Sequence, residues 1–318
     1  MIKKYHRGSG DERFEADLGV AVIDTPAYFP AITSRCQPYP LEMLIRAAMS
    51  TGCKTMMVSA YDIYYAKSRR KLLSLLKEFS RKRVLFLDSG GFEAYRGADW
   101  DFAKYSEMVS EISPTLYAGF DVVRDEYEYN ILDQTLEYMR RSSRITPDSV
   151  CAAVCHGESP DQLVTVATGV ASNHPGRRAS IAVPARECGQ SINEKSKTLK
   201  MIRSRIDRLG KRVILHVLGC DDSMSAESLV RSGADTLDGT AWYKRTPQES
   251  ICRSFSTSCS GSSTRRAPSL DSNISVYVND LRRIRNQMLM ESRLDPARIG
   301  ADVSDRLQSR HHLGSGAA

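Results

Sequence analysis

The chain has 318 residues, 41% of them hydrophobic, which suits one large domain or two small ones with a sizeable core. Its 45 Lys and Arg against 38 acidic residues leave a net charge of +7, compatible with a nucleic-acid partner without requiring one. No apolar stretch reaches the length of a membrane span and no signal-peptide pattern opens the chain, so the sequence excludes an integral membrane helix and reads as a soluble cytoplasmic protein whose 8 cysteines are reduced.

Residues 1–16 are polar and read as loose. The run from Leu18 to Ile32, punctuated by Pro26 and Pro30, reads as a short hairpin-like lead-in followed by a first strand near 28–33. A helical segment follows over 40–51, and from there short apolar strands alternate with amphipathic helices. Strands are predicted near 56–60, 84–88, 116–121, 150–155, 179–184, 213–218 and 234–238. Val84-Leu85-Phe86-Leu87 is apolar on both faces, as a buried strand is. The clearest helix carries Leu72, Leu75, Leu76 and Phe79 on one face; others are predicted over 101–112, 130–142, 160–172, 192–209 and 223–232. Eight strand–helix units in a chain of this size predict an α/β fold, a (β/α)8 barrel, with a doubly wound open sheet as the alternative. No Gly-x-Gly-x-x-Gly turn supports a dinucleotide-binding version of that sheet.

The barrel is assigned to residues 1–255. Residues 256–272 are Ser-rich and read as a mobile loop, and 273–318 as a C-terminal helix and tail, with Val276, Leu281, Ile284 and Met288 as packing residues of the helix.

Catalysis in such barrels sits at the C-terminal ends of the strands. Three predicted strand ends carry aspartates: Asp88 in Asp88-Ser89-Gly90-Gly91-Phe92-Glu93, Asp121 after Tyr117-Ala118-Gly119-Phe120, and Asp238 in Ala234-Asp235-Thr236-Leu237-Asp238-Gly239. His156-Gly157-Glu158 ends the fifth strand, and Arg186-Glu187 follows the sixth. Asp88 reads as a catalytic carboxylate or as a cap of the segment after it. Carboxylates gathered at one mouth push at least one pKa up, which supplies an acid and a base for chemistry at an anomeric carbon. The same cluster could instead hold Mg²⁺. Asp235 falls on the opposite strand face from Asp238. His216 lies inside a strand and reads as a core histidine with satisfied hydrogen bonds.

Asp88-Ser89-Gly90-Gly91-Phe92-Glu93 resembles the Asp-Ser-Gly-Gly-Phe-Gln signature of tRNA-guanine transglycosylases. Thr25-Pro26-Ala27-Tyr28-Phe29-Pro30 resembles their Thr-Pro-x-x-x-Pro stretch. His216-Val217-Leu218-Gly219 followed by Gly233-Ala234-Asp235-Thr236-Leu237-Asp238 resembles their Leu-Met-Gly…Gly-x-Asp-x-Phe-Asp segment. The matches keep chain order across residues 18–245. The resemblance implies base exchange on a (β/α)8 barrel, with Asp238 as the nucleophile, Asp88 as general acid/base and Asp121 on the guanine edge. Ser89 and Gly90 would line the base pocket, and Glu187 falls where the family's Gly-Gly-Leu-x-x-Gly-Glu motif places its glutamate.

The departures are specific. The family's Gln-Gly becomes His156-Gly157, and its Gly-Gly-Leu becomes Ile181-Ala182-Val183. The family's zinc motif, Cys-x-Cys-x-x-Cys with a later His, is missing, and Cys252 and Cys259 do not rebuild it, so no cofactor is expected. Asp238-Gly239-Thr240-Ala241-Trp242 is similar to the Asp-Gly-x-x-Trp pattern of the DNA-modifying relatives, which insert 7-deazaguanines into DNA. The expected partners are therefore DNA, with tRNA as the alternative, a free 7-deazaguanine base and accessory DNA-remodelling proteins. Trp242 would stack on a base or pack under its loop, and Lys244 and Arg245 would meet phosphates. Lys67, Arg69, Arg70 and Lys71 read as a solvated helix face, and Arg265, Arg266, Arg282, Arg283 and Arg285 as better nucleic-acid contacts. A non-catalytic nucleic-acid-binding relative and a metal-dependent barrel hydrolase complete the alternatives.

Overall fold

The computed structural model describes residues 15–18, 22–34, 39–50, 53–121, 130–174, 179–220 and 223–240. Within these, β1 (Glu15–Asp17) and β2 (Val22–Asp24) form an antiparallel pair, and eight further strands close a barrel. The barrel strands are β3 (Ala27–Ile32), β4 (Thr55–Ser59), β5 (Val84–Asp88), β6 (Leu116–Ala118), β7 (Val150–Val154), β8 (Ala179–Pro184), β9 (Val213–Leu218) and β10 (Thr236–Gly239). Their order is β10-β3-β4-β5-β6-β7-β8-β9, and every pairing is parallel. Helices α1 (Leu41–Ser50), α3 (Arg69–Ser80), α5 (Phe102–Ile112), α6 (Ile131–Ser142), α7 (Pro160–Asn173), α8 (Ile192–Arg208) and α9 (Ser223–Arg231) connect successive strands. This is the predicted (β/α)8 barrel. Among the described residues no helix is long and apolar enough to cross a membrane.

The strands are apolar on both faces because both are covered. One buried cluster fills the barrel interior; another fills the shell between strands and helices. Inside, Phe29, Phe86 and His216 meet edge to face, with Phe86 and His216 centroids 4.8 Å apart. Small residues stand on three other strands, Ala118, Ala152 and Ala182. Large side chains set against small ones fill the taper of an eight-stranded barrel. Leu18 and Ile23, from the lead-in, join this interior cluster with Val84, Leu116 and Val150. They close the end where the strands begin.

Helix starts follow side-chain caps: Asp101 accepts from the Lys104 N–H at 2.9 Å, and Ser191 forms a capping box with Glu194. Two short helices were not predicted, α2 (Ala60–Tyr64) and α4 (Gly91–Tyr95), each only 5 residues long. The lead-in begins earlier than its prolines suggest, since Glu15–Asp17, of which Glu15 and Ala16 fall in the segment read as loose, pairs with Val22–Asp24. The basic run on α3 is partly neutralised: Arg69 bridges Glu107 and Glu111 of α5, and Lys71 reaches Glu42. The Ser-rich segment 256–272 and the C-terminal 273–318, with its arginines, lie outside the described residues, as do Cys252 and Cys259.

Candidate active site

The aspartates reach one mouth because each ends or follows a strand of the same barrel. Asp88 is the last residue of β5, and its Oδ2 accepts the Gly90 N–H at 3.3 Å. The chain turns there through Gly90 at φ +75°, a left-handed conformation that L side chains rarely adopt. A Cβ on Gly90 would lie 2.7 Å from the Tyr61 Cβ, and one on Gly91 only 2.5 Å from the Asp121 carbonyl. The two glycines let this turn press against both neighbours. Trp100 Nε1 donates to the Ser89 carbonyl at 2.8 Å and pins the turn from outside.

Asp121 follows β6. The Ser89 hydroxyl donates to its Oδ1, and His156 Nε2 lies 2.8 Å from its Oδ2. His156 Nδ1 lies 3.0 Å from Glu187 Oε1, and Glu187 Oε2 accepts the Gly157 N–H at 3.1 Å. Ser89 and Asp121, expected at the base, therefore form one connected network with His156, Gly157 and Glu187 from the next two strand ends. Burial alone would hold the His156 pKa down, but hydrogen bonds and charge from Asp121 and Glu187 overcome it and raise it to about 9. His156 is thus an imidazolium between two carboxylates at neutral pH.

That assignment predicts a stability effect. His156→Leu leaves the buried Asp121 without its cation and the half-buried Glu187 with only the exposed Arg186, among the described residues, at 3.5 Å, and unfolding in urea should show a loss of about 3 kcal/mol. The raised folded pKa gives a stabilisation fully present below the ordinary histidine pKa and lost as pH rises through about 9. The variant should lack that part of the wild-type pH dependence.

Asp88 is displaced in the other sense. Burial, then the charges of Asp121, Glu93 and Asp238, push its pKa up to about 8, against the opposing Gly90 N–H. It holds its proton at neutral pH and is available as an acid. Asp238, in β10, is 5% exposed. Its Oδ1 accepts the Gly219 N–H at 2.9 Å and lies 3.2 Å from His216 Nε2. No described residue donates to its Oδ2. Asp235 precedes β10 and stays out of the mouth, accepting the Leu215 N–H at 2.8 Å and facing Arg203 at 3.3 Å.

Trp242, Lys244 and Arg245 lie outside the described residues. Two features at the mouth escaped sequence reading. One is the contact of His216 with Asp238. The other is a rim in which the guanidinium groups of Arg186 and Arg96 sit 5.4 and 6.0 Å from the Phe92 ring. Among the described residues no group of three or more His, Cys, Asp or Glu is arranged to hold a metal ion.

The fold and site define a (β/α)8 barrel with a carboxylate-rich mouth, a fold that commonly carries enzymes. A scan against protein-family models finds no match to this chain, and neither does a search of the curated proteins.

Proposed function

We propose that this protein is a base-exchange transglycosylase that replaces guanine in DNA by a 7-deazaguanine, of the 7-cyano type, through a covalent aspartyl–nucleotide intermediate. The observation that carries the reading is a pair of unlike carboxylates at one barrel mouth: Asp88 protonated at neutral pH, and Asp238 with one oxygen engaged by the Gly219 N–H and by His216 Nε2 and the other unengaged by any described residue. The motif resemblance supplies the substrate class, and the Asp238-Gly239-x-x-Trp242 run supplies the choice of DNA.

The target nucleotide leaves the stack before reaction, since C1′ is hidden in a duplex. Asp238 Oδ2 attacks C1′, the C1′–N9 bond breaks, and Asp88 gives its proton to the departing guanine. The incoming base then attacks C1′ through N9, the C1′–Oδ2 ester bond breaks, and Asp88 takes up the N9 proton. Each cycle returns both carboxylates to their starting states. Asp121 and the Ser89-Gly90 turn hold the base edge. The charge network on Asp121 keeps that carboxylate oriented between turns, with His156 standing where the family has Gln.

The test is base exchange with labelled guanine offered duplex DNA, single-stranded DNA or total tRNA. Label entering DNA supports the proposal. Label entering only tRNA keeps the chemistry and overturns the choice of substrate, and no incorporation with any of them overturns both.

The rim arginines bear on the same partner. Arg96 and Arg186 are exposed beside the mouth and suit phosphates flanking an extruded nucleotide. Arg96→Ala combined with Arg186→Ala should weaken DNA binding by about tenfold at low salt and reduce the slope of log Kd against log salt by about 2, one per lost phosphate contact. An unchanged salt slope in fluorescence anisotropy would place the backbone elsewhere.

A further inference from the structure

We propose that His216 is the positioning residue of the Asp238 carboxylate and selects Oδ2 as its reactive oxygen. This inference rests on the reading of Asp238 as the nucleophile of base exchange.

His216 stands in β9, and its register partner in β10 is Thr236, two residues before Asp238. Strand side chains alternate, so Thr236 and Asp238 point to the same side. His216 Nδ1 lies 2.8 Å from Thr236 Oγ1, and Nε2 lies 3.2 Å from Asp238 Oδ1. An ionised carboxylate only accepts, so Nε2 carries the proton and donates to Oδ1. In a neutral ring Nδ1 is then the acceptor, and the Thr236 hydroxyl donates to it. The tautomer thus follows from matching donors to acceptors along the chain Thr236–His216–Asp238.

Both His216 and Thr236 are 0% exposed, so water does not compete for either bond. The ring is held edge-on by Phe86 at 4.8 Å and Phe29 at 5.9 Å, which restricts its rotation. The second donor to Oδ1 is the Gly219 N–H at 2.9 Å. One oxygen of Asp238 is therefore held by a side chain and by backbone.

The consequence is asymmetric. Once C1′ is bonded to Oδ2, Oδ1 becomes the carbonyl oxygen of the ester and keeps its two donors. When the incoming base breaks the C1′–Oδ2 bond, negative charge returns to a carboxylate already supplied with hydrogen bonds. His216 holds Asp238 in one rotamer during attack, and its N–H stabilises the charge that returns to the carboxylate on release.

The experiment compares His216→Leu with His216→Gln in single-turnover exchange, with thermal unfolding as a check on folding. Leu occupies much of the ring's space without a donor, whereas the Gln amide N–H falls near the position of Nε2–H. Leu should slow release of the covalent adduct by about 10- to 100-fold with the KM for guanine changed by no more than about twofold, and Gln should recover most of the rate. Imidazole ¹⁵N NMR should show His216 as the Nε2–H tautomer, with the Nε2 resonance moving in Asp238→Asn. Equal losses for Leu and Gln that track their unfolding temperatures, or an Nδ1–H tautomer, overturn the proposal. Exchange by wild type with both variants unimpaired overturns this inference alone. No exchange by wild type on any substrate overturns the base-exchange reading and this inference with it.

Discussion

Asp238→Ala should abolish the covalent enzyme–DNA adduct and lower guanine exchange by roughly 10⁴-fold or more, the order of loss when a covalent nucleophile is removed. The expected size follows from where Asp238 sits. It is buried at the mouth, it has one oxygen without a described donor, and the other carboxylates reach it only as neighbours in charge. Asp88 is protonated at neutral pH, and Asp121 has both oxygens engaged, by Ser89 and His156, so neither is set to take its place. Denaturing electrophoresis of a stalled reaction reads the adduct directly. A shifted band persisting in Asp238→Ala would sink the assignment of the nucleophile.

Asp88→Asn should have opposite effects on activity and stability. The amide neither gives nor takes the proton, so exchange should fall by about 10²- to 10⁴-fold. The wild-type rate should decline as pH rises through about 8, because the protonated donor is then lost. Stability also falls as pH rises, over a lower range. With a folded pKa raised to about 8, the native state binds the proton more tightly than the unfolded chain, so stability falls as pH rises from the ordinary aspartate range to about 8 and is level above it. The amide removes that cost. Since water still reaches the mouth, the gain near pH 8 should be about 1–3 kcal/mol. Calorimetry across pH should show the variant without the part of the decline that ends near pH 8, and a variant less stable than wild type would argue that Asp88 is ionised in the fold.

The eight strands were legible because parallel strands covered on both sides read as unbroken apolar runs, as in Val84–Asp88 and Val213–Leu218. Ends were less so. The strand predicted over 116–121 stops at Ala118 because the Phe120 N–H is taken by the Ser142 hydroxyl at 2.9 Å, drawing the chain off the ladder. The helices Ala60–Tyr64 and Gly91–Tyr95 are too short to show a 3.6-residue period.

In the site, Asp88, Asp121 and Asp238 were visible as acids ending apolar runs. The bond of His156 to both Asp121 and Glu187 was not, since it joins residues 35 and 31 apart in sequence. His216 was misweighed rather than unseen. It is a satisfied core histidine, as its place in a strand suggested, but one of its partners is Asp238. Parity within β9 carried the signal: Ile214 and His216 share the inward face.

The barrel closes where β10 pairs with β3, setting Asp238 beside Phe29 in the register. The last described strand thus brings the proposed nucleophile to a ring whose other acids were made earlier in synthesis. A chain that stops before β10 carries Asp88 and Asp121 but lacks the carboxylate proposed to attack, and β10 finds its place only by a long-range pairing of the kind that forms late. On the proposed reading, reactivity is therefore tied to closure: the carboxylate that would attack C1′ arrives at the same event that seals the sheet.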